Sequence, residues 1–330
     1  MCMFKGKQWV WSCLLTMLII TFTGFGTPVQ SQAKYPSKAI DIIIPMSPGG
    51  ATDIVARLTA SHLSKKWGVP VNALNKSGGN SVPAVTELYN SPPNGYTVLT
   101  DIQPCSSMME LATKNLPFNV MDRTFIAMVT RGGMVFIVPS NSPYKRIEDV
   151  IAEAKKDPDN FTWSSLGGFG GTDIVIRQLF KATGIDISRT KPVLCKGGSD
   201  VATLTAGGNV KLGACTPIAA AGVAKAGHVR ILGITAEKTP EFPDVRTMAE
   251  LGYPTVNSAF WVGFSGPPKV PSHIVDIWNK TLKEVLKDPE YNSRLTKVGY
   301  NLFYLNPPEM KKYIMNEAEE GKELYSLTKK

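Results

Sequence analysis

The sequence predicts an α/β protein built of two lobes, on the strength of three observations. A unit of β-branched strand, glycine-rich turn and amphipathic helix occurs early in the chain, and the same unit returns after its middle. Strands that alternate with helices in this way predict parallel sheets with crossover helices. The chain has 330 residues, 43% of them hydrophobic and 19% charged, which is typical of globular proteins and more than one core comfortably supports.

The first 33 residues have the order of a secretory signal. Lys5 and Lys7 precede an apolar run over residues 9–20, and residues 31–33 form a small-x-small cleavage site. The run is shorter than the roughly 20 residues that a spanning helix needs. Cys13 lies inside the run rather than just after it, which argues against a lipid-anchored cysteine. We therefore expect cleavage after residue 33 and a mature protein outside the cytoplasm.

The formal net charge of +9 is spread along the chain. No run of like charges forms the basic stripe that nucleic-acid binding requires, so no nucleic-acid partner is expected. A diffuse positive excess instead favours the approach of a small anion.

Five cysteines are present, and Cys2 and Cys13 lie within the predicted signal. Cys105, Cys195 and Cys215 remain, at a spacing that fits no zinc site. An oxidising compartment would permit one disulfide, with Cys195 and Cys215 as the favoured pair. Three free, buried thiols are the alternative, and the sequence leaves both open.

The first strand–turn–helix unit runs from residue 40. Residues 40–44 are predicted as strand, residues 45–51 as turn, and a helix opens at Thr52 and Asp53. Its apolar residues recur close to the 3.6-residue period of a helix. A second unit has its strand at 69–74, its turn at 75–81 and its helix at 83–89, with Pro83 placed well in the first turn.

The same pattern returns in the second half. Residues 161–165 are predicted as strand, 166–171 as turn, and a helix begins at Thr172 and Asp173. A further strand at 193–195 leads through a Lys-Gly-Gly turn into a helix at 201–206. Gly170-Gly171-Thr172-Asp173 nearly repeats Gly49-Gly50-Ala51-Thr52-Asp53, which places equivalent turns in separate halves of the chain.

Two sets of units predict two lobes joined by extended segments. We expect residues 34–136 and 237–330 to form the first lobe and residues 137–236 the second. Two apolar segments, near 134–139 and 230–235, are predicted to cross between the lobes. Crossing segments that bend at their ends are a common basis of hinge closure.

The glycine-rich turns predict a site for a small anion. A helix N-terminus carries unpaired N–H groups and about half a positive charge. Glycine before it lets a ligand approach the backbone closely, and ligands of open α/β sheets gather where these turns lie. Thr52 and Thr172 are candidate donors to the ligand, directly or through water. Asp53 and Asp173 are better explained as helix caps. The alternative for any single Gly-Gly turn is that it only connects a strand to a helix and binds nothing.

Motifs of catalysis are absent from the sequence. It contains no Gly-x-Ser-x-Gly elbow, no phosphate-binding loop and no Gly-x-Gly-x-x-Gly fingerprint. Its three histidines form no metal-ligand or general-base pattern. We therefore expect no catalytic residue, no metal and no cofactor, with a secreted α/β enzyme kept as the weaker alternative.

An ordered set of motifs resembles a known family. Pro48-Gly49-Gly50-Ala51-Thr52-Asp53 is followed by residues 92–96, 196–198, 226–230 and 261–263, all of which match in order. The chain resembles the substrate-binding (Bug-type) receptors of tripartite tricarboxylate transporters. The resemblance implies a monomeric periplasmic binding protein of type II (Venus-flytrap), each lobe a mostly parallel sheet with flanking helices. Such a receptor closes on a small organic acid and delivers it to membrane permease subunits; a receptor that presents its closed form to a sensor is the alternative.

By position, the resemblance implies a ligand site made from both lobes. Its residues are Met46, Ser47, Gly49, Gly50, Ala51, Thr52, Asp53, Gly78, Gly79, Gln103, Ser165, Gly168, Phe169, Gly170, Thr172, Asp173, Cys195, Lys196 and Cys215. Three of them depart from the family pattern. Cys195 stands where tyrosine is usual, Cys215 where a polar residue is common, and Phe169 in a loop of small residues. These departures predict a ligand less polar than citrate, although Phe169 is also suited to bracing its loop.

Overall fold

The computed structural model describes residues 34–167 and 170–327. The predicted signal, Gly168 and Phe169 lie outside the described residues. Within them, no helix combines the length and the apolar character needed to cross a membrane.

Strands and helices alternate along most of the described chain. The strands are β1 (Ile40–Ile44), β2 (Val71–Asn75), β3 (Thr97–Asp101), β4 (Thr124–Gly133), β5 (Val135–Pro139), β6 (Thr162–Ser165), β7 (Lys191–Leu194), β8 (Gly213–Cys215), β9 (Val229–Ile234), β10 (Ala259–Gly266) and β11 (Asn301–Leu305). The helices are α1 (Ala51–Trp67), α2 (Val82–Tyr89), α3 (Met109–Ala112), α4 (Ile147–Lys156), α5 (Gly171–Thr183), α6 (Gly198–Ala206), α7 (Pro217–Lys225), α8 (Ser272–Val285), α9 (Pro289–Lys297) and α10 (Pro307–Ser326).

The first sheet has six strands in the order β11-β4-β10-β3-β1-β2. β1 pairs in parallel with β2 and with β3, and its residues Ile40, Ile42 and Ile44 are fully buried. An apolar strand of this kind, interrupted only by Asp41, is typical of a parallel strand that is covered on both faces. β10 pairs antiparallel with β3 and β4, and β11 antiparallel with β4.

The second group of strands comprises a three-stranded sheet, β8-β5-β9, and the pair β6-β7. A parallel bridge between Trp163 and Leu212 joins the two. β6 pairs in parallel with β7, whereas β5 is antiparallel to both β8 and β9. The α/β architecture is confirmed, but the sheets are mixed rather than mostly parallel. Parallel pairing holds where a helix connects the strands, and it gives way to antiparallel pairing where long strands pass between the sheets without a crossover helix.

The chain passes between the two sheets at two adjacent points. β4 ends at Gly133 and β5 begins at Val135, while residues 235–258 lie between β9 and β10. The side chain of Thr235 ties the crossings together: its hydroxyl donates to the Ser258 carbonyl at 2.6 Å and accepts from the Met134 N–H at 2.9 Å. This one hydroxyl, which is both donor and acceptor, therefore joins the two passages.

The segment after β9 packs with the second group of strands. Met248 and Val256 are buried in one cluster with Phe136 and Trp163. Backbone bonds hold the segment to β9, since the Met248 N–H donates to the Ile234 carbonyl at 2.8 Å. Residues 247–256 therefore belong to the core of the second sheet.

Local sequence explains where the long helices end. α1 stops at Gly68, whose φ of 69° is left-handed and whose N–H donates to the Ser64 carbonyl at 2.9 Å, an arrangement common at helix C-termini. His62 is packed inside this helix as predicted, 2.8 Å from the Leu58 carbonyl and edge-on to the Tyr291 ring. It takes no part in the site described below.

Candidate functional site

One cleft of about 1210 Å³ is lined by residues from both sheets. The turns that follow β1, β6, β7 and β8 all reach it. β6, β7 and β8 run in parallel, so their carboxyl ends meet at one edge and the helices that follow them begin side by side. The predicted convergence of glycine-rich turns is present.

Four helices begin at this cleft. Their N-cap residues are Gly50 for α1, Gly170 for α5, Gly197 for α6 and Thr216 for α7. Among the described residues, no side chain hydrogen-bonds to cap any of the four. Their first N–H groups and the positive ends of their dipoles are thus available to an anion.

The backbone at two of these turns is open to close approach. A Cβ added at Gly50 would meet only the Ser47 carbonyl oxygen, at 3.8 Å, and one at Gly197 would meet nothing within 4 Å. The space beside both positions belongs to the cleft. Gly198 differs, because a Cβ there would lie 3.2 Å from the Cβ of Ala219, so this glycine serves the packing of α6 against α7.

The carboxylate of Asp53 hydrogen-bonds to the turn before α1 and does not line the cleft. Its carboxylate accepts hydrogen bonds from the Gly49 N–H at 3.0 Å, from Arg57 Nε at 3.0 Å and from Asn75 Nδ2 at 2.8 Å. Burial by itself raises the pKa of this carboxyl, but the hydrogen bonds from Arg57, Gly49 and Asn75 outweigh burial and lower the pKa. The predicted capping role is modified, since the acceptor serves the loop before the helix.

The same arrangement recurs at α5 and α6. Asp173 is fully buried and accepts from the Leu166 N–H at 2.8 Å and from the Ser165 hydroxyl. Asp200 accepts from the Lys196 N–H at 2.9 Å. Each aspartate near a helix start therefore fixes its preceding turn, which leaves the helix N–H groups free of it.

The two threonines at the paired turns differ in their surroundings. Thr52 lines the cleft, and its hydroxyl hydrogen-bonds to Tyr300, where this bond opposes the rise in the pKa of Tyr300 that burial causes. Thr172 also lines the cleft and is buried, and its hydroxyl has no partner among the described residues. Thr172 is the better placed of the two to donate to a ligand.

A buried polar network reaches the cleft through Gln103. Gln103 Nε2 donates to Glu317 on α10 and to Ser258 Oγ at 3.3 Å. Glu317 also accepts from Trp261 Nε1, at 3.1 Å, and from the Ser107 hydroxyl. Burial raises the pKa of Glu317 to about 7 in spite of these donors.

The remaining cleft wall is largely apolar. Leu194 is 73% exposed and Ile218 38% exposed, unusually high values for such side chains, and both line the cleft. The rings of Phe260 and Trp261 lie on the same lining. An apolar part of a ligand would find these surfaces beside the helix N-termini.

The thiols of Cys195 and Cys215 line the cleft as free, buried groups. Burial raises the pKa of both, that of Cys215 to about 12, so neither is a thiolate at neutral pH. The favoured disulfide is not formed. Over residues 34–167 and 170–327 there is likewise no group of three or more His, Cys, Asp or Glu residues that could hold a metal.

The structure brings together most of the residues predicted for the site. Those that line the cleft are Met46, Ser47, Gly49, Gly50, Ala51, Thr52, Gly78, Gln103, Gly170, Thr172, Cys195, Lys196 and Cys215. The residues that do not line the cleft are Asp53, Gly79, Ser165 and Asp173. Gly168 and Phe169 lie outside the described residues, so their part in the site stays a prediction.

Comparison with known proteins gives a consistent result. The sequence profile of the family described as "Tripartite tricarboxylate transporter family receptor" matches residues 55–327. The chain belongs to this family. A Cupriavidus necator protein named "UPF0065 protein in gbd 5'region" is 29% identical and covers 89% of each chain. BugT of Bordetella pertussis is 26% identical over 92% of each chain. The structure of an R. palustris protein with adipate has a TM-score of 0.79 and 22% identity, over 89% of this chain and 98% of that chain.

Membership of the tripartite tricarboxylate transporter receptor family confirms the predicted resemblance and the two-lobed binding-protein fold. Its members are periplasmic solute-binding receptors rather than enzymes.

Sequence reasoning missed several cleft residues. Tyr300, Leu194 and Ile218 line the site, but no motif in the sequence singles them out. Thr216 carried a weak signal, since Thr-Pro after an apolar strand is typical of a helix start. Trp261 belongs to a motif that the resemblance rests on, yet its contact with Glu317 depends on the tertiary fold alone.

Proposed function

We propose that this receptor binds a small organic carboxylate in the cleft and delivers it to the membrane permease subunits of a tripartite tricarboxylate transporter. The observation that carries the proposal is the meeting of four uncapped helix N-termini in one cleft. The adipate present in the structure of a similarly folded receptor supports this class of ligand.

Backbone groups rather than a guanidinium would hold the acid. No arginine is among the described residues that line the cleft, and Lys196 is the one lysine there. The N–H groups at the starts of α1, α5 and α6 would donate to the carboxylate oxygens, and the Thr172 hydroxyl would add a further bond. Leu194 and Ile218 would contact an apolar part of the ligand, which supports a solute less polar than citrate.

Closure of the two lobes would accompany binding. A ligand that touches both lobes binds the closed form better and shifts the population towards it. We place the hinge at Met134, Thr235 and Ser258, because the Thr235 hydroxyl joins the two passages between the sheets. In this proposal residues 247–256 move with the second lobe, in line with the contacts of Met248 and Val256.

In this proposal the protein acts as a monomer in the periplasm after cleavage near residue 33. It releases its ligand chemically unchanged. Support for the absence of catalysis comes from the lining itself. The thiols there are protonated, and no histidine lies among the described residues of the cleft. Mass spectrometry of the bound acid after long incubation tests this point, and a converted product would contradict it.

Thermal unfolding with a panel of acids tests the binding proposal. The panel contains adipate, malate, citrate, acidic amino acids and aromatic acids, with the matching amides as controls. An acid present at about 100 times its dissociation constant stabilises the protein by roughly 2.7 kcal/mol, which gives a clear shift in Tm. The amides should give none. If no acid in the panel raised Tm, the proposal would be overturned.

A further inference from the structure

The orientation of one buried amide determines what the cleft presents to a ligand. The side chain of Gln103 is only 3% exposed, yet it lines the cleft. A Cβ added at Gly171, the first residue of α5, would lie 3.3 Å from Gln103 Oε1. The carbonyl oxygen of this amide therefore sits beside the N-terminus of α5.

Glu317 decides which way the amide faces. An ionised carboxylate can only accept hydrogen bonds, so the NH₂ group of Gln103 must point towards it. The other amide hydrogen is used by Ser258 Oγ at 3.3 Å. Both donors of Gln103 are thereby turned away from the cleft, and its acceptor is turned into it. No donor among the described residues hydrogen-bonds to Oε1.

The surroundings of Glu317 keep this arrangement fixed. Trp261 Nε1 and the Ser107 hydroxyl occupy the rest of its carboxylate. Neither Glu320 nor Tyr313, the titratable neighbours on the same helix, supplies a cation that would compete for it. A rotated amide would place its carbonyl oxygen against the carboxylate, acceptor to acceptor, and would leave a buried donor unpaired.

We infer that Gln103, held by Glu317, selects acids that carry a hydrogen-bond donor on the carbon next to the carboxylate, as 2-hydroxy and 2-amino acids do. The inference rests on the proposed function, because it assumes that the carboxylate binds at the start of α5. With the carboxylate there, the neighbouring carbon of the ligand lies next to Gln103 Oε1. A hydroxyl or amine on that carbon satisfies the oxygen, whereas a plain methylene leaves it without a partner.

Matched pairs of acids separate this inference from the proposed function. Titration calorimetry at pH 8, where Glu317 is ionised, would compare malate with succinate, lactate with propionate and 2-hydroxyadipate with adipate. Aspartate against succinate tests an amine in place of a hydroxyl. We expect the donor-bearing acid to bind about tenfold more tightly or better, the effect of one well-made hydrogen bond.

The outcomes of this titration are distinct. Equal affinity within every pair, or tighter binding of the plain acid, would overturn the inference and leave the proposed function standing. Failure of every acid to bind would overturn the proposed function and the inference with it. A preference for the hydroxyl acids alone, or for the amino acid alone, would identify the donor.

Variants test the part of Glu317 as a positioning residue. In Gln103→Met the acceptor is lost, and the ratio of affinities within each pair should fall to about one. Glu317→Leu frees the amide to rotate and should also erase the ratio, whereas Glu317→Gln retains an acceptor for Gln103 and should keep it. A purely structural role for Glu317 would change both members of each pair alike. Glu319→Gln, an exposed change on the same helix, is the control.

Discussion

The turns before α1 and α5 end in nearly the same glycine motif, but different residues hold them in place. Asp53 is held by the Gly49 N–H, by Asn75 and by Arg57, whose side chain is 49% exposed. Asp173 is fully buried, and it accepts hydrogen bonds from a hydroxyl and from a backbone N–H of its own loop. The same motif thus fixes the path of the backbone twice, while the neighbouring side chains determine how far each copy is exposed to solvent.

The threonines that follow the glycines extend this difference. Thr52 is engaged by Tyr300, which comes from the far end of the chain. Thr172 is adjacent to the Gly171 position that faces Gln103 Oε1, and its hydroxyl keeps its bonding capacity. The first turn therefore offers a ligand mainly backbone, and the second offers backbone together with a hydroxyl.

The largest expected effect comes from filling the first turn. Gly50→Val should abolish measurable binding, because the added side chain occupies the space through which a ligand reaches the start of α1. Folding should change little, since a Cβ there meets only one atom within 4 Å. Titration with the best acid of the panel, together with a melting curve, measures both.

Gly222→Val is the matched control for that variant. Gly222 lies in α7 away from the cleft lining, and a Cβ there would meet nothing within 4 Å. It should bind as the wild type does. Retained affinity in Gly50→Val would mean that the ligand is gripped by the second turn alone.

A smaller effect separates the two threonines. Thr172→Val should weaken binding by ~1.5–3 kcal/mol, the contribution of a hydrogen bond to a charged group. Thr52→Val should weaken it less, because its hydroxyl already bonds to Tyr300. Thr183→Val, at the other end of α5, controls for the loss of a hydroxyl that bonds only within its helix. Equal losses at the two turns would remove the distinction drawn between them.

Much of this fold could be predicted, because local patterns determine it. The strand at Ile40–Ile44 and the helix starts near Thr52 and Thr172 follow from β-branched runs, glycine turns and apolar periodicity. These features act over a few residues, so their signal survives in the sequence alone. The convergence of the turns in one cleft followed from the rule that parallel strands gather their carboxyl ends.

The rest depends on contacts between distant residues. Gln103 and Glu317 are 214 positions apart, and neither lies in a motif that pairs them. The sequence predicted a crossing near residues 134–139, but not the antiparallel pairing of the strands on either side of it, because pairing direction leaves no local pattern. For the same reason, the aspartates were expected to cap their helices, although in the fold they reach backward to the preceding turns.

The smallest expected effect concerns Asp53, whose partner Arg57 is partly exposed. Asp53→Asn replaces an acceptor with a group whose NH₂ faces the Gly49 N–H, so the free energy of unfolding at pH 7 should fall by about 1 kcal/mol. The pKa of Asp53 is lowered by folding, so its contribution is fully present above the unfolded value of 3.8 and is lost as the pH falls through the lower folded value. Urea unfolding at pH 7 and at pH 3 should therefore show a gap between wild type and variant that narrows in acid. A gap that widened in acid would mean that folding raises the pKa of Asp53, and that burial rather than its three donors governs the first turn.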